Sequence, residues 1–262
     1  MSQLAGKRII VTGAASGIGR ATSLLAASQG ASLVVVDYAD AIEETAAEIA
    51  ANGGTAKAIQ ADISDETAVA AFVAACISEY DGLDAIYANA GVVGAYKPFL
   101  EMTADDWQQA VSVNIVGTFL CIKHAAAHFV KQRSGSIVCT ASVAGMRANA
   151  GPVDYSASKA GVISMVQTIA YELYGTDVRI NAVCPGLIET GMTKPVFDGA
   201  RAKGLESRIG QINPSGRYGN PDEIAAMACF LMSDGASYVN GQAIPVDGGL
   251  SASHPWVYPQ NQ

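Results

Sequence analysis

The stretch Arg8-Ile9-Ile10-Val11-Thr12-Gly13-Ala14-Ala15-Ser16-Gly17-Ile18-Gly19 decides the fold. Its first half is a short apolar run that reads as a strand, and from Gly17 to Gln29 the pattern becomes helical. The glycines between them permit a tight turn and a close approach of backbone to a pyrophosphate, which then rests on helix N–H groups. Because the spacing is Gly-x-x-x-Gly-x-Gly rather than the commoner Gly-x-Gly-x-x-Gly, the reading depends on this strand-turn-helix setting. An ordinary glycine turn is the competing explanation.

Working outward, short runs rich in Val and Ile alternate with helical patterns. Strands are expected at Arg8 to Thr12, Ser32 to Asp37, Thr55 to Gln60, Asp84 to Ala88, Gly135 to Thr140, Val178 to Val183 and Gln242 to Val246. Between them fall helices near Gly17 to Gln29, Ala41 to Asn52, Glu66 to Tyr80, Ala104 to Lys131, Asp154 to Tyr174 and Pro221 to Met232. This alternation predicts an α/β, Rossmann-type doubly wound parallel sheet with helices on both faces. Ligands of such sheets bind outside the carboxyl ends of the strands. Leu187 to Arg217 lacks clear periodicity and follows a strand's carboxyl end, where an active-site lid would stand. Residues 251–262 read as an irregular tail.

Bulk properties narrow the field. The chain has 262 residues, 50% hydrophobic and 15% charged, with no linker-like break, which predicts one domain over residues 1–262. The net charge is −8 and the basic residues form no cluster, so nucleic acid is a poor partner. No uninterrupted apolar stretch reaches membrane-spanning length, and the N-terminus lacks the apolar core of a signal peptide. The five cysteines are scattered without metal-ligand or disulfide spacing, as expected of buried thiols in a cytoplasmic protein.

Asp37 closes the run Leu33-Val34-Val35-Val36 at the place where an acid accepts hydrogen bonds from adenosine ribose hydroxyls. A 2'-phosphate would confront that carboxylate at a cost of several kcal/mol, and neither Ser16 nor Tyr38 offers a compensating cation. NAD is therefore the expected cofactor, without a metal. Further on, Tyr155 and Lys159 stand four apart, on one face of a helix. A tyrosine working near neutrality needs its pKa of ~10 lowered by about 3 units, roughly 4 kcal/mol. A neighbouring ammonium supplies part of that shift.

With the glycine loop, Asp37 and Tyr-x-x-x-Lys in order, the chain from Leu4 to about Leu250 closely resembles the short-chain dehydrogenase/reductase family. The resemblance implies that Asp62 contacts the adenine amino group with Ile63 beside the ring. It implies that Asn89-Ala90-Gly91 stabilises the sheet and borders the ribose, and that Pro185-Gly186 with Ile188 and Thr190 holds the carboxamide. The cofactor set is completed by Gly13, Ser16, Gly17, Ile18 and Gly19, together with Tyr155 and Lys159. By the same resemblance Ser142 hydrogen-bonds the reacting oxygen, Tyr155 is the acid/base, Lys159 binds the nicotinamide ribose, and the Asn114 backbone holds a relay water. The competing reading of Asn114 is a satisfied core asparagine.

These roles amount to reversible hydride transfer between an alcohol and its carbonyl. Val93, Tyr96, Val143, Met146, Pro152, Met192, Val196 and Phe197 are the expected substrate wall, mostly apolar and without a cation. They favour a hydrophobic secondary alcohol or ketone, cyclic compounds among them. The alternatives are a 3-oxoacyl carrier-protein reductase and a non-catalytic NAD-binding regulatory protein. Family resemblance also implies a homotetramer paired through the two long helices, Ala104 to Lys131 and Asp154 to Tyr174; a corollary expectation is that Trp256 and Tyr258 of the tail pack on a neighbouring subunit or cover its pocket.

Overall fold

The structure is a computed structural model and describes residues 2–253. Trp256 and Tyr258 lie outside the described residues. The strands are β1 (Arg8–Thr12), β2 (Ser32–Asp37), β3 (Thr55–Gln60), β4 (Ala85–Ala88), β5 (Gly135–Thr140), β6 (Val178–Pro185) and β7 (Ala243–Val246). Among the described residues they form one seven-stranded sheet in the order β3-β2-β1-β4-β5-β6-β7. Every pairing is parallel. The strand order reverses between β1 and β4, so their carboxyl ends diverge and leave a crevice.

Side chains alternate between the two faces of the sheet, and both faces are dry. Ile9, Val11, Leu33 and Val35 belong to the core that also holds Ala26 and Ile49 of the helices α1 (Gly17–Ser28) and α2 (Ile42–Ala51) and Ala228 of α8 (Pro221–Met232). Ile10, Val34 and Val36 face the opposite core, with Phe72 of α3 (Glu66–Tyr80), Phe129 of α5 (Thr118–Gln132) and Val162 of α6 (Val153–Glu172). Covering on both sides is why the central strands read as unbroken apolar runs.

Helix α3 begins at Asp65, whose carboxylate accepts from the N–H groups of Thr67 and Ala68. Helix α8 begins with a capping box between Asn220 and Glu223 and a proline in its first turn.

Two departures from the expected pattern matter for the site. The helix expected over Ala104 to Lys131 is three pieces: α4 (Ala104–Ala110), a π-helical segment (Val111–Gly117) and α5. The extra residue per turn is invisible to a 3.6-residue period. This rod, Ala104–Gln132, is by length and composition apolar enough to cross a membrane, which the sequence reading did not anticipate. Part of that apolarity covers the sheet, through Leu120, Cys121, Ala125 and Phe129. The expected lid segment also contains a regular helix, α7 (Lys194–Ala202). Its 9 residues make only about two and a half turns, too few for a repeated apolar period to stand out from the irregular segment around it.

Candidate active site

The crevice at the β1/β4 switch point has a volume of about 570 Å³. Gly13, Ser16, Gly17 and Ile18 form its floor, Asp37 and Asp62 one end, and Ser142, Tyr155 and Lys159 the other. Asn89, Ala90, Gly91, Ile63, Pro185, Gly186, Ile188 and Thr190 complete the walls. Gly19 is set behind them, where an added Cβ would lie 2.0 Å from the Gly13 carbonyl oxygen. Only glycine lets α1 pack this tightly under the turn.

Several features fit a nicotinamide dinucleotide. Ser16, the N-cap of α1, makes no side-chain capping bond, so the first amides of that helix face the crevice without a side-chain partner. Gly13 sits at φ 67, a left-handed conformation, with Ala90 so close that an added Cβ would come within 2.8 Å of it. Asp37 accepts from Ala15 N–H at 3.0 Å and from Ala39 N–H at 3.0 Å, so its carboxylate anchors the glycine loop to the end of β2. Asp62 accepts from the backbone and hydroxyl of Ser64, both at 2.8 Å. Among the described residues the charged side chains lining the crevice are Asp37, Asp62 and Lys159, with no cation at the carboxylate end.

Asn89 ties the strand ends together. Its amide donates to the Thr12 carbonyl at 3.1 Å, and the Thr140 hydroxyl donates to its oxygen at 2.9 Å. Lys159 is 3% exposed and donates to the Thr140 carbonyl at 2.8 Å, with its Nζ 5.7 Å from the centre of the Tyr155 ring. Burial pulls its pKa down from 10.5 to about 8. Burial drives Tyr155 the other way, raising its phenol; the Ser142 hydroxyl draws it back and Tyr96 adds to the rise. Ser142 is buried, accepts from Ala144 N–H at 3.1 Å, and stands just past the end of β5.

Asn114 is fully buried in the π-helical segment, behind the crevice rather than on its wall. Its oxygen accepts from Val92 N–H at 2.8 Å, and its amide donates to the Val92 carbonyl at 2.9 Å and to Ser158 Oγ at 3.0 Å. The side chain is thus a satisfied structural asparagine, and any catalytic part falls to its backbone.

Residues 13–251 match a family model described as enoyl-(acyl carrier protein) reductase. A 3-oxoacyl-[acyl-carrier-protein] reductase from Thermotoga maritima is 40% identical over 249 residues, covering 95% of this chain and 99% of that one. The chain belongs to the short-chain dehydrogenase/reductase family. A 2,5-dichloro-2,5-cyclohexadiene-1,4-diol dehydrogenase from Sphingobium indicum is 38% identical over 253 residues, covering 96% of this chain and all (100%) of its own. The crystal structure of a levodione reductase superposes with a TM-score of 0.91 at 36% identity, covering 96% of this chain and 100% of that one. Members of the family bind a nicotinamide cofactor and act on CH–OH groups, and this chain is an oxidoreductase of that kind.

In this short-chain dehydrogenase/reductase the expected substrate wall is only partly gathered at the crevice. Of the eight residues expected there, Met192 lines the crevice. Tyr96, Met146 and Val196 are exposed at 66%, 40% and 42%, and Pro152 stands as the N-cap of α6. Val93 lies on the loop after β4 and is partly buried. Two expectations need correction: Phe197 is fully buried, edge-on to Tyr218 with ring centres 4.8 Å apart, and Val143 is 4% exposed. Phe197 packs on Tyr218 instead of standing at an open rim. Val92, Gln109, Val113 and Thr193 line the crevice without having been anticipated. Gln109 and Val113 are brought there by the rod, and no local motif marks them.

Proposed function

We propose that the protein is an NAD-dependent dehydrogenase interconverting an uncharged, hydrophobic secondary alcohol and its ketone. The observation that carries this reading is the meeting of Ser142, Tyr155 and Lys159 at one end of a crevice whose other end holds Asp37 and Asp62. The carboxylate at Asp37 is braced by two backbone amides and faces no cation, which supports NAD over a cofactor carrying a 2'-phosphate.

Bound NAD+ would supply the hydride acceptor and a positive charge beside the phenol. Ser142 would donate its hydroxyl hydrogen bond to the substrate oxygen. Tyr155 would take the proton from that oxygen in oxidation and return it in reduction. A buried neutral phenol is a poor base, so this role depends on nearby positive charge, part of which protonated Lys159, 5.7 Å from the ring centre, would provide. Lys159, tethered to the Thr140 carbonyl, would keep its remaining hydrogens for a ribose hydroxyl.

Met192 in the crevice lining, with exposed Met146 just after Ser142 in the chain and exposed Val196 just after Met192, supports an apolar substrate. The similarity to a relative named for a cyclohexadiene diol supports a cyclic one. A second reading, a 3-oxoacyl carrier-protein reductase, is favoured by the similarity to the Thermotoga maritima enzyme. Absorbance at 340 nm with NAD+ or NADP+ and a panel of cyclic alcohols, against oxoacyl thioesters with NADH or NADPH, separates the two. In either case Tyr155→Phe should abolish turnover while NADH binding persists; near-normal turnover would end the proposal.

Pairing into a homotetramer is part of the same reading. Trp107, Val116, Phe119 and Val130 on the long rod are all at least 36% exposed, and Val153 and Tyr171 on α6 are exposed as well. Such apolar surface supports burial against a second copy of the chain. The five buried, unpaired thiols support a cytoplasmic setting.

A further inference from the structure

Next to Tyr155 stands a carboxylate with no part in the chemistry above. Asp154 is 0% exposed, and among the described residues it has no ion-pair partner. Its two oxygens each take one backbone N–H. Oδ1 accepts from Tyr155 at 2.8 Å, in the first turn of α6, where amides lack helical partners. Oδ2 accepts from Ala95 at 2.9 Å, far off in sequence on the loop after β4.

Gly94 makes that reach feasible. It sits at φ +81, and an added Cβ would lie 2.3 Å from Asp154 Oδ2, so the carboxylate lies flat on bare backbone. The same loop is held two residues earlier by Asn114, which also bonds Ser158 of α6. Between and beyond these anchors the loop carries Val93 and Tyr96, and Tyr96 acts on the Tyr155 phenol.

We propose that Asp154 is a positioning residue that clamps the Val92–Tyr96 loop to the catalytic helix and so sets how the organic part of the substrate is held against Tyr155. The inference rests on the alcohol-oxidoreductase reading of the site. It assigns Val93 to Tyr96 to substrate recognition; Val92, which lines the dinucleotide crevice, is held separately by Asn114, so loss of the Asp154 contact should spare cofactor binding.

Two variants break the clamp from opposite sides. Asp154→Asn turns one acceptor into a donor facing an N–H, and Gly94→Ala pushes the carboxylate off the loop. Each should raise KM for the preferred alcohol by about ten-fold, keep kcat within about three-fold, and leave NADH affinity unchanged. A merely structural role would lower stability without splitting KM from kcat. Hydrogen exchange on the wild-type protein needs neither variant to fold: the Ala95 and Tyr155 amides should both be protected far beyond exposed loop amides. Unchanged KM in both variants, joint loss of substrate and NADH affinity, or both amides exchanging like free loop would each overturn the clamp. If wild type turns over no alcohol, the functional reading fails while the exchange result still decides whether the clamp exists.

Discussion

Replacing Lys159 with Met should change how the stability of the ligand-free protein depends on pH, and the structure sets the size of the effect. Lys159 is 3% exposed, and burial takes its pKa from 10.5 to about 8. Folding therefore disfavours the ammonium. Below about pH 8 the side chain is protonated in both states, and the folded protein bears the full penalty, on the order of 3 kcal/mol. Between about pH 8 and about pH 10.5 the unfolded chain binds more protons, so this penalty is relieved as pH rises. From about pH 7 to about pH 9.5 the relief is roughly 2 kcal/mol.

The buried cysteines act in the opposite sense, since burial raises the thiols of Cys76, Cys139, Cys184 and Cys229 and their contribution is lost as pH rises. For Cys76 and Cys229 that loss is the same in wild type and variant, whereas Lys159 also draws the Cys139 and Cys184 thiols down, a pull the variant lacks and one smaller than the effect of their burial. Losing the bond to the Thr140 carbonyl shifts the variant's stability by a constant that does not depend on pH. The informative quantity is thus the wild-type minus Lys159→Met difference, measured by urea unfolding at about pH 7 and about pH 9.5 and equal protein concentration. The difference should move in favour of wild type by roughly 2 kcal/mol. A difference constant to within about 0.5 kcal/mol would refute the claim that Lys159 is held as a desolvated cation.

Asp37→Ala should shift the NAD to NADP ratio of kcat/KM towards NADP by about 30-fold, equivalent to ~2 kcal/mol of lost like-charge discrimination. An unchanged ratio would remove Asp37 from cofactor choice and leave it as the anchor of the Ala15 amide. Asn114→Ala leaves the Val92 N–H and carbonyl without their partner and should cost about 2–3 kcal/mol of stability in thermal or urea unfolding. A loss of kcat in that variant without a loss of stability would show instead that the side chain acts directly in turnover.

Much of this protein is written locally. Ile9, Val11, Leu33 and Val35 alternate with Ile10 and Val34 between two dry faces, so β1 and β2 carry an apolar density that marks them as central parallel strands. Gly13 and Gly19 declare a close backbone approach because no other residue fits there, and Gly17 holds a left-handed φ of 52 between them. Tyr155 and Lys159 are neighbours by helical spacing alone, and Asp37 follows the glycine loop at a distance fixed by one β-α-β unit.

What the tertiary structure alone decided depends on pairings distant in sequence. The π-helical turn around Asn114 answers to Val92 and Ser158, and neither is near it in the chain. Phe197 went inward because Tyr218 was there to receive it, although its own surroundings read as an open lid. Lys159 became a desolvated cation through the closure of β5 and α6 around it, and Asp154 became a clamp only when Gly94 and Ala95 were folded against it. Residue type and spacing specify what a side chain can do and which face it shares. Burial, and the partner supplied across the sheet, determine its charge, its reach and the group it finally holds.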